Sequence, residues 1–345
     1  MAIASPVHAS SGWQLIWFDD FTNDTSLNTN MWLVDQGLSA CNGNNELEIY
    51  SNSPQNIKIS PTLGLRLIAT NIGNNVLTSG RILSMNIGDC TGVANTNMTP
   101  SFVNPNGAVE WRAKLPQGFG LWPTLWLMPR EQYANDQAVE GPWPNCGEID
   151  VVENDGQEPN QVEQNLHYYN GSYSSDQPVA DVTQWHTYRF EWYTNQLDWY
   201  VDGVLGSTNS VWNPPPGYAY PAPYDAQAGG FYIIMNLALG GSYTGYPSAA
   251  SVAPSLPAEV DVAYVHVFTL GDPPDPSLSV STTSSGLVIS WPSQSVEWVL
   301  EQAKSLTNAS WAQIPATQYQ TNQTQTFYTV PPPLTTNTFY RLFLQ

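Results

Sequence analysis

Residues 145–154 read NCGEIDVVEN and hold three carboxylates, Glu148, Asp150 and Glu153, within six positions. Acids this close repel one another and raise at least one pKa. That cost needs a use in a chain where only 11% of residues are charged. The positions between them are Ile149, Val151 and Val152, side chains that favour a strand. A calcium loop would instead intersperse its acids with Gly, Asn and turn residues. A solvated strand face would not sit in so apolar and Trp-flanked a stretch. The chemistry that suits the pattern is glycoside hydrolysis, in which one carboxylate attacks the sugar and a second protonates the leaving oxygen.

The spacing adds a condition. Strand alternation puts Glu148 and Asp150 on one face and Glu153 on the other. A β-bulge between Asp150 and Glu153 would swing Glu153 onto the face of the other two. The two glutamates would then flank a bound sugar from one strand, and Asp150 could hydrogen-bond a glutamate and help to set its protonation.

The elements that must hold such a strand read as β almost throughout. Apolar runs recur at 65–69, 108–115, 125–129, 148–153, 187–193, 197–203, 231–239 and 260–268, bounded by Gly, Asn, Pro or Ser. Many alternate, which predicts an all-β protein, an antiparallel sandwich or jelly roll. Asp202-Gly203 is a hairpin-turn signal. GDPPDP at 271–276 predicts a stiff linker. Beyond it, 277–345 predicts a second, smaller β-sandwich of immunoglobulin or fibronectin type, an accessory module without concentrated acids. Its Trp291, Trp298 and Trp311 are expected mainly in its core.

Composition narrows the partners. Lys and Arg total 9 against 29 Asp and Glu, a formal charge of −20. Such a surface repels nucleic acid, anionic membranes and sulfated or uronic polysaccharides, so a neutral ligand fits better. No run of about 18 apolar residues spans a membrane. MAIASPVHASSGW at the start lacks the basic and apolar regions of a secretory signal, so secretion implies a signal already removed. Of the three cysteines, Cys41 and Cys90 lie in Gly/Asn-rich loops and could bridge in an oxidising compartment, while Cys146 adjoins the acidic strand. No Cys/His cluster suggests zinc.

GEIDVVE resembles the E-x-D-x-x-E signature of glycoside hydrolase family 16 in its bulged, laminarinase-like form. The resemblance extends, in order, to NNELEIY at 44–50, SGRI at 79–82, VEWRAKLPQGFGLWPTLWLMP at 109–129, LHYY at 166–169, NLALGG at 236–241 and YVHVF at 264–268. It covers about residues 12–270 and leaves the tail uncovered. It implies a curved jelly roll of two antiparallel sheets over residues 1–270, with a sugar cleft on the concave face. It also implies hydrolysis with retention, with Glu148 as nucleophile, Glu153 as general acid/base and Asp150 as the assisting carboxylate.

The substrate implied is β-1,3-linked, laminarin-type glucan, with mixed β-1,3/1,4 glucan as an extension. A galactan hydrolase of the agarase type and a non-catalytic β-glucan-binding protein are the alternatives, though such binding proteins typically lose the glutamates kept here. Asn45 and Arg81 match positions that hydrogen-bond sugars on the non-reducing side. Trp122 and Trp126 share a strand face and suit a stacking platform, with core packing as the alternative. Trp143 resembles the family's rim tryptophan, and His167 would orient a carboxylate or hydroxyl if it is not a core histidine. The family's structural calcium site is only partly kept: Asp19-Asp20-Phe21 stands for Asp-Glu-Phe, and Ala263 replaces an aspartate. Asp20 and Asp261 are the metal candidates left. The expectation is therefore a secreted, monomeric enzyme that requires no cofactor.

Overall fold

The computed structural model describes residues 2–3, 12–38, 43–86, 98–99, 101–130, 141–226, 229–271, 278–283, 286–292, 298–305, 310–321, 325–331 and 338–344. Cys41, Cys90 and nearly all of GDPPDP lie outside them, so the expected bridge and linker are not among the described parts. The chain divides into two compact units, Asp19–Val267 and a second made of Met1–Phe18 with Phe268–Gln345.

The runs named from the sequence form the strands of the larger unit. The acid-bearing sheet has eight strands among the described residues, in the order Gly171–Pro178, Gln161–Tyr168, Glu148–Glu153, Leu121–Pro129, Phe231–Leu239, Arg81–Leu83 and Leu33–Val34, with Phe102–Val103 also on Phe231–Leu239. Every pairing along that order is antiparallel. Phe231–Leu239 is buried at every position, as a central strand covered on both faces must be.

The second sheet contains Gly107–Lys114, His186–Tyr193, Gln196–Val201 and Val204–Asn209 as antiparallel neighbours. The turn at Asp202-Gly203 has φ of 51° and 74°. Positive φ at both central residues is the type I′ requirement that Asp-Gly meets at low cost. In this sheet Glu48–Tyr50 runs parallel to Leu77–Ser79. Trp111, Phe190, Trp192 and Trp199 from this sheet, and Ile149, Val152, Leu166 and Phe231 from the other, have no exposed surface. Most tryptophans of the larger unit thus serve as core, and burying each large aromatic removes roughly 150–250 Å² from water.

Among the described residues the smaller unit contains two four-stranded sheets and a core of Ile289, Trp291, Trp298, Leu300, Ile314, Tyr328, Val330, Tyr340 and Leu342. Trp291 and Trp298 are core residues, as expected. Trp311 is half-buried beneath the Arg341 guanidinium, 4.3 Å from its ring centroid. One boundary differs from the expectation of a single unit over 1–270. Ala2–Ile3 pairs in parallel with Phe339–Tyr340, so the amino-terminal segment groups with the tail. An open sheet edge offers unpaired backbone groups to any extended segment, and a two-residue parallel rung leaves no periodic trace in sequence.

Candidate active site

The strand Glu148–Glu153 carries the bulge that its spacing requires. Against Gln161–Tyr168 the partners are Glu148 with His167, Asp150 with Asn165 and Glu153 with Glu163, with a register shift between Asp150 and Glu153. Against Leu121–Pro129 the partners are Trp126 with Asp150 and Thr124 with Glu153, again with a shift. Directly paired residues share a face, so all three acids project to one side. The pairing continues outward: Thr124 faces Asn236, and Asn236 faces Arg81. One row across the sheet therefore reads Glu163, Glu153, Thr124, Asn236, Arg81.

Each glutamate has its own donors. The Trp143 indole N–H donates to Glu148 Oε2 at 2.7 Å. The Trp122 indole N–H donates to Glu153 Oε1 at 2.8 Å, and Asn165 Nδ2 donates to Glu153 Oε2 at 2.5 Å. His167 Nε2 lies 3.4 Å from Asp150 Oδ2 and 3.9 Å from Glu148 Oε1. The Tyr224 hydroxyl donates to the backbone carbonyls of Glu148 and His167, tying the two strands together beneath the acids.

Burial pushes all three carboxyls up. Glu148 is raised well above the usual range, chiefly by desolvation and then by Asp150, against the pull of His167 and Trp143. Asp150 is raised by desolvation, Glu153 and Glu163. Glu153 is raised by desolvation, with Asn165 and Trp122 opposing and Glu163 reinforcing. The trio titrates as a set, and its members are distinguished by their donors and neighbours. Such a set can hold a proton on one carboxyl while another is ionised, which acid catalysis beside a nucleophile demands.

The other candidates divide. Trp122 and Trp126 do share one face, but each has a polar task. Trp122 stacks on Tyr243 with centroids 4.8 Å apart while holding Glu153. Trp126 donates to Asn236 Oδ1 at 2.7 Å and lies 5.4 Å under the Arg81 guanidinium. Arg81 is buried and paired with Asp35 at 3.4 Å, so its place in the row is fixed by an ion pair. Trp143 is 50% exposed, as a rim residue would be, with its ring 5.6 Å from His167. Asn45 is exposed with φ of 61°, in a turn whose Asn44 carbonyl accepts from Ser242 N.

The metal candidates do not come together as a cage. Asp20 accepts from His266 Nε2 at 2.8 Å, while Asp261 is held by Lys114 at 2.9 Å and Arg66 at 3.3 Å. Two cations already meet the charge of Asp261, and these residues do not fit a calcium ion. Sequence reading also passed over Asn165, Glu163 and Tyr243. The first two alternate with His167 on one strand, and that i, i+2 spacing from a named candidate was the available signal. Tyr243 sits in a turn after the last central strand and has no such pattern.

Residues 68–228 match the family described as Glycosyl hydrolases family 16. That segment belongs to the family. It is 32% identical over 290 residues to Glucan endo-1,3-beta-glucosidase A1 of Niallia circulans, covering 78% of this chain and 40% of that protein. It is 29% identical over 291 residues to Keratan-sulfate endo-1,4-beta-galactosidase of Sphingobacterium multivorum, covering 82% and 60%. The chain thus spans 40% and 60% of the length of these two relatives. Among solved structures, the endo-beta-1,3-glucanase of Pyrococcus furiosus superposes with a TM-score of 0.58 at 29% identity, over 75% of this chain and 95% of that one. Family 16 membership agrees with the jelly-roll architecture and with the strand on which the bulge lies.

Proposed function

We propose that this family 16 chain is a secreted, monomeric, retaining endo-glycosidase that cuts β-1,3 linkages in laminarin-type glucan, with mixed β-1,3/1,4 glucan as a second substrate. The observation that carries the reading is the bulge. It puts Glu148 and Glu153 on one face with separate donors, as two carboxyls with different tasks require. Glu148 attacks the anomeric carbon and the bond to the leaving oxygen breaks. Glu153 gives that oxygen its proton. Water, deprotonated by the same Glu153, then displaces Glu148 and restores the starting configuration. Asp150 and His167 steady the charge that leaves and returns to Glu148. Trp143, at the rim, offers an indole face for a sugar ring.

A formal charge of −20 favours a neutral glucan. The keratan-sulfate galactosidase among the relatives keeps a galactan substrate as a second reading. A reducing-sugar assay on laminarin, lichenan and agarose separates the two. The glucanase reading expects release from laminarin above lichenan and none from agarose. Release from agarose alone would replace it with the galactan reading, and no release from any of the three would refute both.

A further inference from the structure

Glu148, Asp150 and His167 each offer one ligand atom, and these atoms all lie within 4.8 Å of one another. Two edges of that triangle are 3.4 Å, from His167 Nε2 to Asp150 Oδ2, and 3.9 Å, from the same nitrogen to Glu148 Oε1. In a tetrahedral zinc site with bonds of about 2.0–2.1 Å, neighbouring ligand atoms stand roughly 3.3–3.4 Å apart. Small side-chain rotations would close this triangle on one ion. Trp143 holds Glu148 through Oε2, which leaves Oε1 turned to the imidazole. Asp150 is 2% exposed; its carboxyl shares a side-chain hydrogen bond with Glu148, and its Oδ2 has no aligned protein donor. That buried oxygen faces the His167 imidazole, so a cation between the two would give it a partner.

We propose that Glu148, Asp150 and His167 form a three-ligand site for a divalent transition-metal cation of the zinc type, and that filling it shuts the catalytic centre. One imidazole nitrogen with two carboxylates suits zinc or copper. Calcium takes six to eight oxygens, which three side chains do not supply. Three protein ligands leave a fourth position open to water. The bound ion engages Glu148 and Asp150 together, so the nucleophile is withheld from sugar. The binding goes beyond the glucanase reading and does not depend on it; only the loss of turnover rests on that reading.

The test uses the full chain, freed of metal by chelator and dialysis, with zinc chloride titrated by calorimetry. One site per chain is expected, with affinity at least tenfold weaker in Asp150→Asn and in His167→Gln, each checked for folding by circular dichroism. Asp176→Asn, an exposed acid outside the site, should bind as the parent does. If either site variant fails to fold, cobalt(II) added to the parent chain gives a second readout: a visible d–d band removed by one equivalent of zinc. Equal zinc affinity in all folded variants, or neither heat nor a cobalt band in the parent, overturns the site. Saturating zinc should also abolish laminarin hydrolysis, and full turnover under saturation overturns the inhibitory role. Zinc binding that follows the expected variant pattern in a chain that cuts no glucan would uphold the site and refute the glucanase reading.

Discussion

Two groups of acids in the larger unit are treated in opposite ways. Glu259 and Asp261 meet Arg66 and Lys114, so cations answer the charge. Glu148, Asp150 and Glu153 meet two indoles, an amide and an imidazole. Among the described residues no Lys or Arg pairs with this trio. A fixed cation against Glu153 would hold it ionised and pull its pKa down. Neutral donors orient a carboxylate while leaving it able to take and give a proton. The chain has few cations, and it places two of them where charge must be cancelled and none where it must change.

The largest effect expected from breaking this contrast is at Glu148. In Glu148→Ala, laminarin hydrolysis should fall below detection with the melting temperature retained, and azide should partly restore turnover of an activated substrate. Near-parental hydrolysis would show that the trio contains no nucleophile at this position. Next comes Glu153→Gln, which should slow glucan hydrolysis by roughly 10²–10⁴-fold, the usual worth of general acid–base help. An aryl glycoside whose leaving group needs no proton should be spared at the first step. Equal losses on both substrates in single-turnover measurements would remove the acid role.

Asn165→Lys makes the first cluster resemble the second. A cation beside Glu153 should lower its pKa, so the basic limb of the kcat/KM profile should move to lower pH. At neutral pH the loss should be about tenfold for each unit of displacement, since only the protonated acid is competent. An unmoved limb in a folded variant would mean that Glu153 is not the group titrating there.

The smallest effect on turnover is expected at the paired cluster. Lys114→Ala should leave laminarin hydrolysis unchanged and destabilise the chain by about 1–3 kcal/mol, because buried Asp261 loses a donor while Arg66 remains. Burial already raises the Asp261 pKa against the pull of Lys114 and Arg66. The folded form therefore binds that proton more readily than the unfolded chain, and more so without Lys114. The deficit should be greatest near neutral pH and shrink as acid protonates Asp261. Urea unfolding at neutral and mildly acid pH checks this, and a deficit that grows on acidification would contradict it.

Much of this contrast could be read from sequence, and the part that could not has a physical cause. EIDVVE announced both its acids and its bulge, because alternation is local and a violation of it shows within six residues. Asp202-Gly203 announced its hairpin for the same reason. The partners were harder. Asn165 meets Glu153 only through the register of a neighbouring strand, and Arg66 and Lys114 reach Asp261 from strands distant in sequence. Asp261 is a metal candidate by its place two residues before Ala263 in the resemblance, and its cations come from other strands. The amino-terminal rung on Phe339–Tyr340 is the extreme case, a pairing between the two ends of the chain that no local pattern encodes.

In the proposed mechanism the uncancelled trio lets Glu148 form and release a bond to sugar. This is tested most directly by trapping that bond. A 2-deoxy-2-fluoro glucosyl or laminaribiosyl donor with a good leaving group slows the second step more than the first. Mass spectrometry of the digested enzyme should then find one added glycosyl group per chain, on Glu148. A label on Glu153 would reverse the roles of the two glutamates. No label, together with products of inverted configuration by NMR, would contradict double displacement itself.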